Sequence, residues 1–222
     1  MKELSIVGII DNRQGLYVGH LRYYFQALLG ATNLTLAYHN LRHMLHVLWE
    51  CYDGGAFHRL SPRETRNLLI AAIFHDFNHS GKARGNDHAE IEIALMMLRV
   101  HILPEDLAEL ENISDIIRAT EFPYVIPEEK LTLSQQIIRD ADMSQNFSFV
   151  WLQQSWLGLA EELGLDPLKF LRMQPGFLRS LKFHSGWGKE KFEGRRVAHI
   201  TEVEEYIGLL DGDEPTTLRK VA

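Results

Sequence analysis

The residues of this chain with the clearest chemical potential are its histidines, of which there are eleven in 222 residues. His39 and His43 are four residues apart, so on a helix they share one face, and His46 joins that face one turn later. Met44 and Leu48 fall on the opposite, apolar side of the same helix. Because histidine binds metal ions and transfers protons near neutral pH, this face indicates metal or acid–base chemistry. A solvated face that is merely rich in histidine is the alternative.

A second cluster, His75 and Asp76, follows directly on an apolar run from Leu68 to Phe74. An ionised carboxylate at the end of such a buried helix is costly unless it is paired or bound to a metal ion. The neighbouring imidazole, together with His79 four residues further on, supplies nitrogen ligands for a divalent cation. The alternative is an Asp–His hydrogen-bonded pair that only terminates the helix.

The third candidate is an acidic pair, Asp140 and Asp142, within a predicted helix. Ile138, one turn before Asp142, weakly favours an inward position for that carboxylate. Ile137 and Met143 blur the assignment, because they place apolar side chains on both helical phases. Helical phase alone therefore does not choose between the two aspartates, and an aspartate on a solvated helix face is the commoner case.

The elements that must position these residues are predicted to be helices. One start signal is strong, because Ser61 can cap, Pro62 suits the first helical position, and Glu64 completes a capping box. Residues 3–10 predict a short strand or an N-terminal arm. The predicted helices cover 16–30, a segment from near His39 toward Tyr52, a segment that starts after Ser61, and then 86–101, 104–119, 132–143, 147–163, 167–183 and 190–210. No alternating strand pattern recurs, so the predicted fold class is all-α.

Composition narrows the class of protein further. The formal net charge of −7 argues against a partner that is a nucleic acid polymer, because phosphate neutralisation needs a basic surface. No apolar run approaches the roughly 20 residues that cross a bilayer, so we expect a cytoplasmic protein with no membrane partner. Cys51 is the only cysteine, which excludes an intramolecular disulfide and a cysteine-cluster zinc site. The sequence leaves open whether the chain forms a homo-oligomer.

Together the three clusters resemble the ligand order of the HD superfamily of metal-dependent phosphohydrolases: a histidine, then a His-Asp pair, then a distant aspartate. The surrounding residues are most similar to the catalytic domain of the class I 3′,5′-cyclic-nucleotide phosphodiesterases. Residues 38–43 match the family's Y-H-N-x-x-H, and residues 75–81 match its H-D-x-x-H followed by a small residue and glycine. The family's A-D-L-S corresponds to residues 141–144, which selects Asp142 over Asp140.

Weaker motifs extend the resemblance along the chain. Residues 119–121 fit the family's A-T-[DE], residues 174–177 look like its Q-x-G-F, and Asn86 could take the place of an asparagine that follows the second motif. The family's glutamate after that motif corresponds to Glu90 or Glu92, and the sequence does not decide between them.

The resemblance covers roughly residues 36–180 and implies one catalytic domain over 1–222. Residues 1–35 would form an N-terminal arm and helix, and 181–222 a C-terminal helical segment. The implied architecture is a compact multi-helix bundle around a dinuclear metal site. Because the chain is much shorter than the family's usual catalytic domain, this would be a minimal version that lacks some elements that shape the pocket.

The resemblance also implies roles for individual residues. The first divalent metal ion would be held by His43, His75, Asp76 and Asp142. Asp76 would also bridge to a second ion held mostly by water, and His39 would protonate the leaving oxygen as general acid. His79 would orient the nucleophile from outside the ligand set. The implied substrate-binding residues are Tyr38, Asn86, Gln174 and Phe177.

The expected activity is hydrolysis of a cyclic nucleotide, either a 3′,5′-cyclic nucleotide or a related cyclic signalling nucleotide, to the linear monophosphate. The implied cofactors are two divalent metal ions of the zinc, manganese, magnesium, iron or nickel type. The expected partner is the small nucleotide substrate. Two alternatives stay open: a phosphohydrolase of the same superfamily that acts on noncyclic nucleotides (nucleoside phosphates or alarmones), and a non-catalytic nucleotide-binding domain.

Overall fold

The computed structural model of the chain describes residues 21–82 and 87–212. Within these ranges the chain forms nine α-helices and no β-strand, which confirms the all-α prediction. The predicted arm or strand at 3–10 lies outside the described residues, and so does Asn86. No helix in the described part of the chain combines the length and the apolar character needed to cross a membrane.

The first half of the fold contains the helices α1 (Leu21–Leu28), α2 (Leu41–Phe57), α3 (Pro62–Phe74) and α4 (His88–His101). The predicted capping box at the start of α3 is confirmed: the backbone N–H of Glu64 donates to Ser61 Oγ at 3.3 Å, and the backbone N–H of Ser61 donates to Glu64 Oε2 at 2.8 Å. These bonds satisfy amides that a helix start leaves without partners, which fixes the start of α3.

The prediction for the second helix is wrong in detail, because the helix begins at Leu41, two residues after the predicted start near His39. Asn40 has an extended backbone, and its side-chain oxygen accepts the N–H groups of Arg42 and His43, so it is the N-cap of α2. His39 therefore lies before the helix, and the prediction that it shares a helix face with His43 is wrong as well. The apolar side of α2 is as predicted, because Met44 is fully buried.

The second half begins with a 3₁₀ turn and α5, which replace the single helix predicted over 104–119. The elements in order are the 3₁₀ turn Pro104–Glu109, α5 (Leu110–Arg118), the 3₁₀ turn Glu128–Lys130, α6 (Leu133–Met143), the 3₁₀ turn Ser144–Phe147, the π-helical segment Leu152–Gly158, α7 (Leu159–Leu163), α8 (Pro167–Ser180) and α9 (Gly186–Asp211). α9 begins earlier than predicted, because Ser185 Oγ accepts the N–H of Gly188 and caps it.

The centre of the fold is α3, which contacts α1, α2, α4, α5 and α6. Its apolar run from Leu68 to Phe74 is at most 1% exposed, as the unbroken apolar stretch predicts for a helix that is surrounded by others. α2 packs against both α3 and α6. The start of α2, the end of α3 and the end of α6 can therefore meet at one point.

A charged side chain is buried beside this apolar run. Arg66, on α3, is inaccessible to solvent, and its Nε donates to Asp106 Oδ1 at 2.7 Å. Tyr24 of α1 donates its hydroxyl to Asp106 Oδ2 at 2.7 Å. Burial alone would raise the pKa of Asp106, but the hydrogen bonds from Arg66 and Tyr24 hold it below its ordinary value. This ion pair therefore joins α3 to the turn that precedes α5.

Candidate metal centre

Four side chains from three helices converge where α2, α3 and α6 meet. His43 lies in the first turn of α2, His75 and Asp76 follow directly on the end of α3, and Asp142 lies at the end of α6. His43 Nε2 is 3.1 Å from Asp76 Oδ2 and 3.2 Å from Asp142 Oδ1, and His75 Nε2 is 3.1 Å from Asp76 Oδ2. The structure therefore brings together the four residues that the sequence predicts as metal ligands.

These separations are those of a coordination shell. Ligand atoms about 2.1 Å from a common cation, at octahedral or tetrahedral angles, lie roughly 3.0–3.4 Å from one another. The two imidazole Nε2 atoms of His43 and His75 are 3.4 Å apart, within that range. The separation of 3.9 Å between His75 Nε2 and Asp142 Oδ1 corresponds to a wider ligand angle. His43, His75 and Asp142 form one group that could hold a metal ion.

One oxygen of this group is left without a hydrogen-bond partner. Asp76 Oδ2 is inaccessible to solvent, and while both imidazoles are neutral it has no hydrogen-bond donor, because the two Nε2 atoms 3.1 Å away carry lone pairs. A buried acceptor with no partner costs about 1–3 kcal/mol. A divalent cation between the imidazoles and the carboxylates removes that cost, so the residues present fit a metal ion.

The tautomers of both imidazoles also suit metal binding. His43 Nδ1 lies 2.6 Å from the side-chain oxygen of Gln145, and His75 Nδ1 lies 2.9 Å from the backbone oxygen of Ala72. Because these oxygens only accept hydrogen bonds, each Nδ1 carries the proton and donates it. Each Nε2 then turns its lone pair toward the carboxylates, as in metal-ligating histidines whose second nitrogen is held by an oxygen.

The two carboxylates of this group, Asp76 and Asp142, favour a positive charge between them. Burial alone would lower the pKa of His43, but the carboxylates of Asp142 and Asp76 raise it to about 10. Burial alone would raise the pKa of Asp76, but His75 and His43 hold it well below its ordinary value. Without a cation, a proton on an imidazole supplies the positive charge that the two carboxylates require, so a metal ion and a proton compete for this position.

A second group lies beside the first and comprises His39, Asp76 and His79, which could also hold a metal ion. The rings of His39 and His79 stack with centroids 3.7 Å apart and an interplanar angle of 19°. The backbone N–H of Gly81 donates to His79 Nδ1 at 3.0 Å, so the proton of that neutral ring is on Nε2. Burial and the neighbouring His39 lower the pKa of His79. His79 is therefore a neutral hydrogen-bond donor at Nε2 rather than a ready ligand.

His39 has a carboxylate partner that the sequence analysis missed. Its Nδ1 lies 2.6 Å from Glu162 Oε2 on α7, while Glu162 Oε1 accepts the backbone N–H groups of Tyr38 and, at 2.9 Å, His39. Burial alone would raise the pKa of Glu162, but the hydrogen bond from His39 holds it below its ordinary value. Glu162 thus orients the ring and engages Nδ1, which leaves Nε2 as the nitrogen that can exchange a proton with a ligand.

The choice between Glu90 and Glu92, which the sequence left open, is decided by burial and hydrogen bonding. Glu90 is 9% exposed, and it accepts hydrogen bonds from the backbone N–H of Ser80, at 2.9 Å, and from the Ser80 hydroxyl. Glu92 is exposed. Glu90 is therefore the glutamate that supports the loop after the second histidine–aspartate cluster.

The two aspartates of α6 have different partners. Asp140 accepts the backbone N–H groups of His184 at 2.7 Å and Ser185 at 2.8 Å, and also the Ser185 hydroxyl at 2.6 Å. It therefore satisfies amides at the start of α9 and takes no part in the metal group. Asp142, two residues later, faces His43 as described.

A cavity of about 740 Å³ opens beside the metal group. Its described lining includes Tyr38, His39, His79, Asp87, Phe122, Asp142, Glu162, Phe170, Arg172, Met173, Gln174 and Phe177. Tyr38, Gln174 and Phe177, which the sequence predicts as substrate-binding, thus line one cavity with His39 and Glu162. Pro175 lies inside α8 and does not break it. Asp87, which sequence reasoning missed, also lines the cavity; a combination of burial and the nearby Asp76 raises its pKa to about 6.

Comparisons with known proteins supply no assignment for this site. No family model matches the chain, and neither a curated protein nor a solved structure is significantly similar to it. The donor atoms, their burial and the adjoining cavity are therefore the basis on which a function can be assigned.

Proposed function

We propose that this chain is a metal-dependent phosphohydrolase of the HD type that hydrolyses a cyclic nucleotide to the linear monophosphate. The substrate would be a 3′,5′-cyclic nucleotide or a related cyclic signalling nucleotide. The observation that carries the proposal is the convergence of His43, His75, Asp76 and Asp142 beside a cavity that also contains a histidine–carboxylate pair. Metal-dependent hydrolysis of a phosphodiester requires metal ligands and a proton donor at the same cavity.

The first cation would be held by the four converging residues, and a second would share Asp76 and otherwise be held mostly by water. Divalent cations bound there supply Lewis acidity and positive charge for a phosphoryl group. His79 keeps the orienting role, because its Nδ1 accepts from Gly81 and its Nε2 carries a proton. Its N–H can hold the nucleophile or a phosphoryl oxygen in place.

The proton needed by the departing ribose oxygen would come from His39 Nε2. Glu162 accepts the Nδ1 proton of that ring at 2.6 Å and is itself fixed by two backbone N–H groups of the loop before α2. The ring therefore cannot rotate without breaking a short hydrogen bond. A ring held in this way can deliver its proton to one position in the cavity, which is what general acid catalysis requires.

The remaining lining suits a purine nucleotide. The volume of about 740 Å³ lies within the range of pockets for small ligands, and the lining includes the apolar side chains of Phe122, Met173 and Phe177. Gln174 adds an amide that can both donate and accept, which fits the edge of adenine or guanine. Phe177 can stack on the base.

The charge of the cavity favours a substrate with one phosphate over nucleoside triphosphates and alarmones. Among the described residues that line it, the one lysine or arginine is Arg172, and its guanidinium is paired with Asp211 at 2.6 Å. Three carboxylates, Asp87, Asp142 and Glu162, lie on the same lining. A polyphosphate would meet few free cations there, whereas the charge of a phosphodiester can be offset at the metal centre alone.

The test is a substrate screen on the purified protein with Mn²⁺ or Mg²⁺, using cyclic mononucleotides, cyclic dinucleotides, nucleoside triphosphates and alarmones. We expect turnover of a cyclic nucleotide that Asp142→Ala abolishes. The exposed Asp115 provides a control, and Asp115→Ala should leave the rate unchanged. Turnover confined to noncyclic nucleotides would refute the substrate assignment, and nucleotide binding without turnover in any metal would refute the enzymatic one.

A further inference from the structure

Behind the metal ligand His43 lies a row of buried amides that the sequence analysis did not use. Gln145 is fully buried, and its Oε1 accepts the Nδ1 proton of His43 at 2.6 Å. The Gln145 amide nitrogen donates to Gln154 Oε1 at 3.4 Å. Gln154, which is 3% exposed, also accepts from Asn40 Nδ2 at 3.4 Å and donates to the backbone oxygen of Ala37 at 3.4 Å. One continuous set of side chains therefore joins His43 to the residues just before α2.

The bonds of this row differ in strength. The bond from His43 to Gln145 is short, whereas the three bonds of Gln154 are long and individually weak. The short bond orients the imidazole ring. The long bonds determine only which of its two orientations each side-chain amide adopts. An amide group rotated by 180° would place a donor against a donor. The free-energy cost of leaving these buried groups unpaired is far larger than the stabilisation from one weak hydrogen bond.

The direction of the row is set by backbone groups. Asn40 Oδ1 accepts the N–H groups of Arg42 and His43, so Asn40 must present its amide nitrogen to Gln154. Gln154 therefore presents its oxygen to Asn40 and Gln145, and its own nitrogen donates to the Ala37 backbone oxygen. Gln145 must then turn its nitrogen to Gln154 and its oxygen to His43.

The π-helical segment places Gln154 for this role. A π-helical turn is wider than an α-helical one and often occurs at functional sites. Its last residue, Gly158, lies so close to the loop before α2 that a Cβ there would be 2.5 Å from the Ala37 oxygen. The segment thus packs directly on the backbone that carries Ala37 and Asn40, which brings the Gln154 amide within reach of both.

We propose that Gln145 is a positioning residue that fixes the tautomer of His43, with Gln154 and Asn40 setting the direction of its amide. Neutral imidazole has two tautomers of similar stability, and a ring with its proton on Nε2 cannot bind a metal ion through that atom. An oxygen held at Nδ1 keeps the proton there and leaves the Nε2 lone pair for the cation. The inference rests on the metal site of the proposed function, and it concerns metal affinity rather than the identity of the substrate.

The test measures Zn²⁺ affinity of the whole chain by competition with a chelating dye, with helicity checked by circular dichroism. Gln145→Met keeps the length of the side chain but removes the acceptor, and we expect it to weaken Zn²⁺ binding about 10–100-fold. Gln145→Glu keeps an acceptor at Nδ1, and its second carboxyl oxygen, when protonated, can donate to Gln154 Oε1 as the amide nitrogen does, so Zn²⁺ affinity should stay within a few-fold of the wild type. Gln153 is exposed in the same π-helical segment, so Gln153→Met is the matched control and should change nothing.

A proton NMR spectrum of the Zn²⁺ complex gives a second readout. The Nδ1 protons of His43 and His75 are both held by oxygens in the wild type. We expect Gln145→Met to lose the His43 signal and to keep that of His75, which serves as the internal reference. Should Gln145→Met fail to fold, Gln154→Met offers a milder change, because it frees the Gln145 amide to turn over and should also weaken Zn²⁺ binding.

The two proposals fail in different ways. Unchanged Zn²⁺ affinity in folded Gln145→Met, or an equal loss in Gln145→Glu, would overturn the positioning role while leaving the metal site in place. A wild type that binds no Zn²⁺ would overturn the metal site and this inference together. A wild type that binds Zn²⁺ as expected but hydrolyses no cyclic nucleotide would overturn the proposed activity alone.

Discussion

Replacing Glu162 by glutamine tests the proton-transfer role of His39 without touching the metal ligands. The Glu162 carboxylate accepts three hydrogen bonds, two from backbone N–H groups at one oxygen and one from His39 at the other. A glutamine has a single acceptor oxygen. If that oxygen keeps the backbone bonds, the amide nitrogen faces His39 Nδ1 and disfavours a proton there.

The expected loss follows from the change at His39. With Nδ1 as an acceptor, the ring would be neutral and would carry its single proton on Nε2. A neutral imidazole N–H is a much weaker acid than an imidazolium, which carries a proton on both nitrogens. General acid catalysis contributes about 10²–10⁴ in rate, so Glu162→Gln should remove a large part of that factor. The same range corresponds to about 2.7–5.4 kcal/mol in activation free energy.

The assay compares two substrates and a control variant. We expect Glu162→Gln to lower kcat for the cyclic nucleotide and to have little effect on a p-nitrophenyl phosphodiester, whose leaving group needs no proton. His39→Ala should show the same selective loss, with metal content unchanged. Glu161 is exposed next to Glu162, so Glu161→Gln should behave as the wild type. An equal loss on both substrates would assign the pair a structural role and refute the reasoning.

Three further predictions follow from the contacts described. Asp76→Ala should abolish turnover, and chelation should lower the Tm of the wild type in thermal unfolding, because a ligand of the folded state stabilises it; full activity in excess chelator would contradict the metal site. Gln174→Ala and Phe177→Ala should raise KM for the purine substrate, and for Phe177→Ala the increase should correspond to the loss of about 1–3 kcal/mol of base–aromatic stacking free energy. In both variants, kcat on a base-free phosphodiester should be unchanged. The pKa of Asp106 is lowered in the fold, so its contribution to stability is present above the unfolded pKa of about 3.9 and is lost as the pH falls through the folded pKa. Urea titrations of Asp106→Asn should therefore show a shallower loss of stability below about pH 4 than the wild type, and an unchanged slope would contradict this.

The features that the sequence predicted well are those whose causes are local. The capping box at Ser61 and Glu64 depends on neighbouring residues, and the burial of α3 depends on an apolar run within one helix. The start of α2 was also decided locally, by the cap at Asn40, but the periodic histidines suggested an earlier start. Hydrophobic periodicity indicates which face is buried and does not by itself mark where a helix begins.

The features that the sequence could not supply depend on pairs distant along the chain. Asp140 and Asp142 have nearly the same local surroundings, so helical phase did not separate them and only the family resemblance did; in the structure, the contacts of Asp140 with the start of α9 separate their roles. Glu162 is one glutamate among several in its segment until the fold brings it to His39. Gln145 likewise becomes significant only through its contact with His43.

Together with the local cap at Asn40, these distant contacts order the side chains of the site. His43 is held through its backbone N–H by Asn40 and through its ring by Gln145, while His39 is held by Glu162. All three supporting groups contact the loop before α2 or the first turn of that helix. Because ordering a side chain costs free energy, a ring fixed during folding binds a cation or delivers a proton without that cost at the moment of reaction. The segment from Gln145 to Glu162 therefore positions side chains of the site, although it supplies none of the proposed metal ligands.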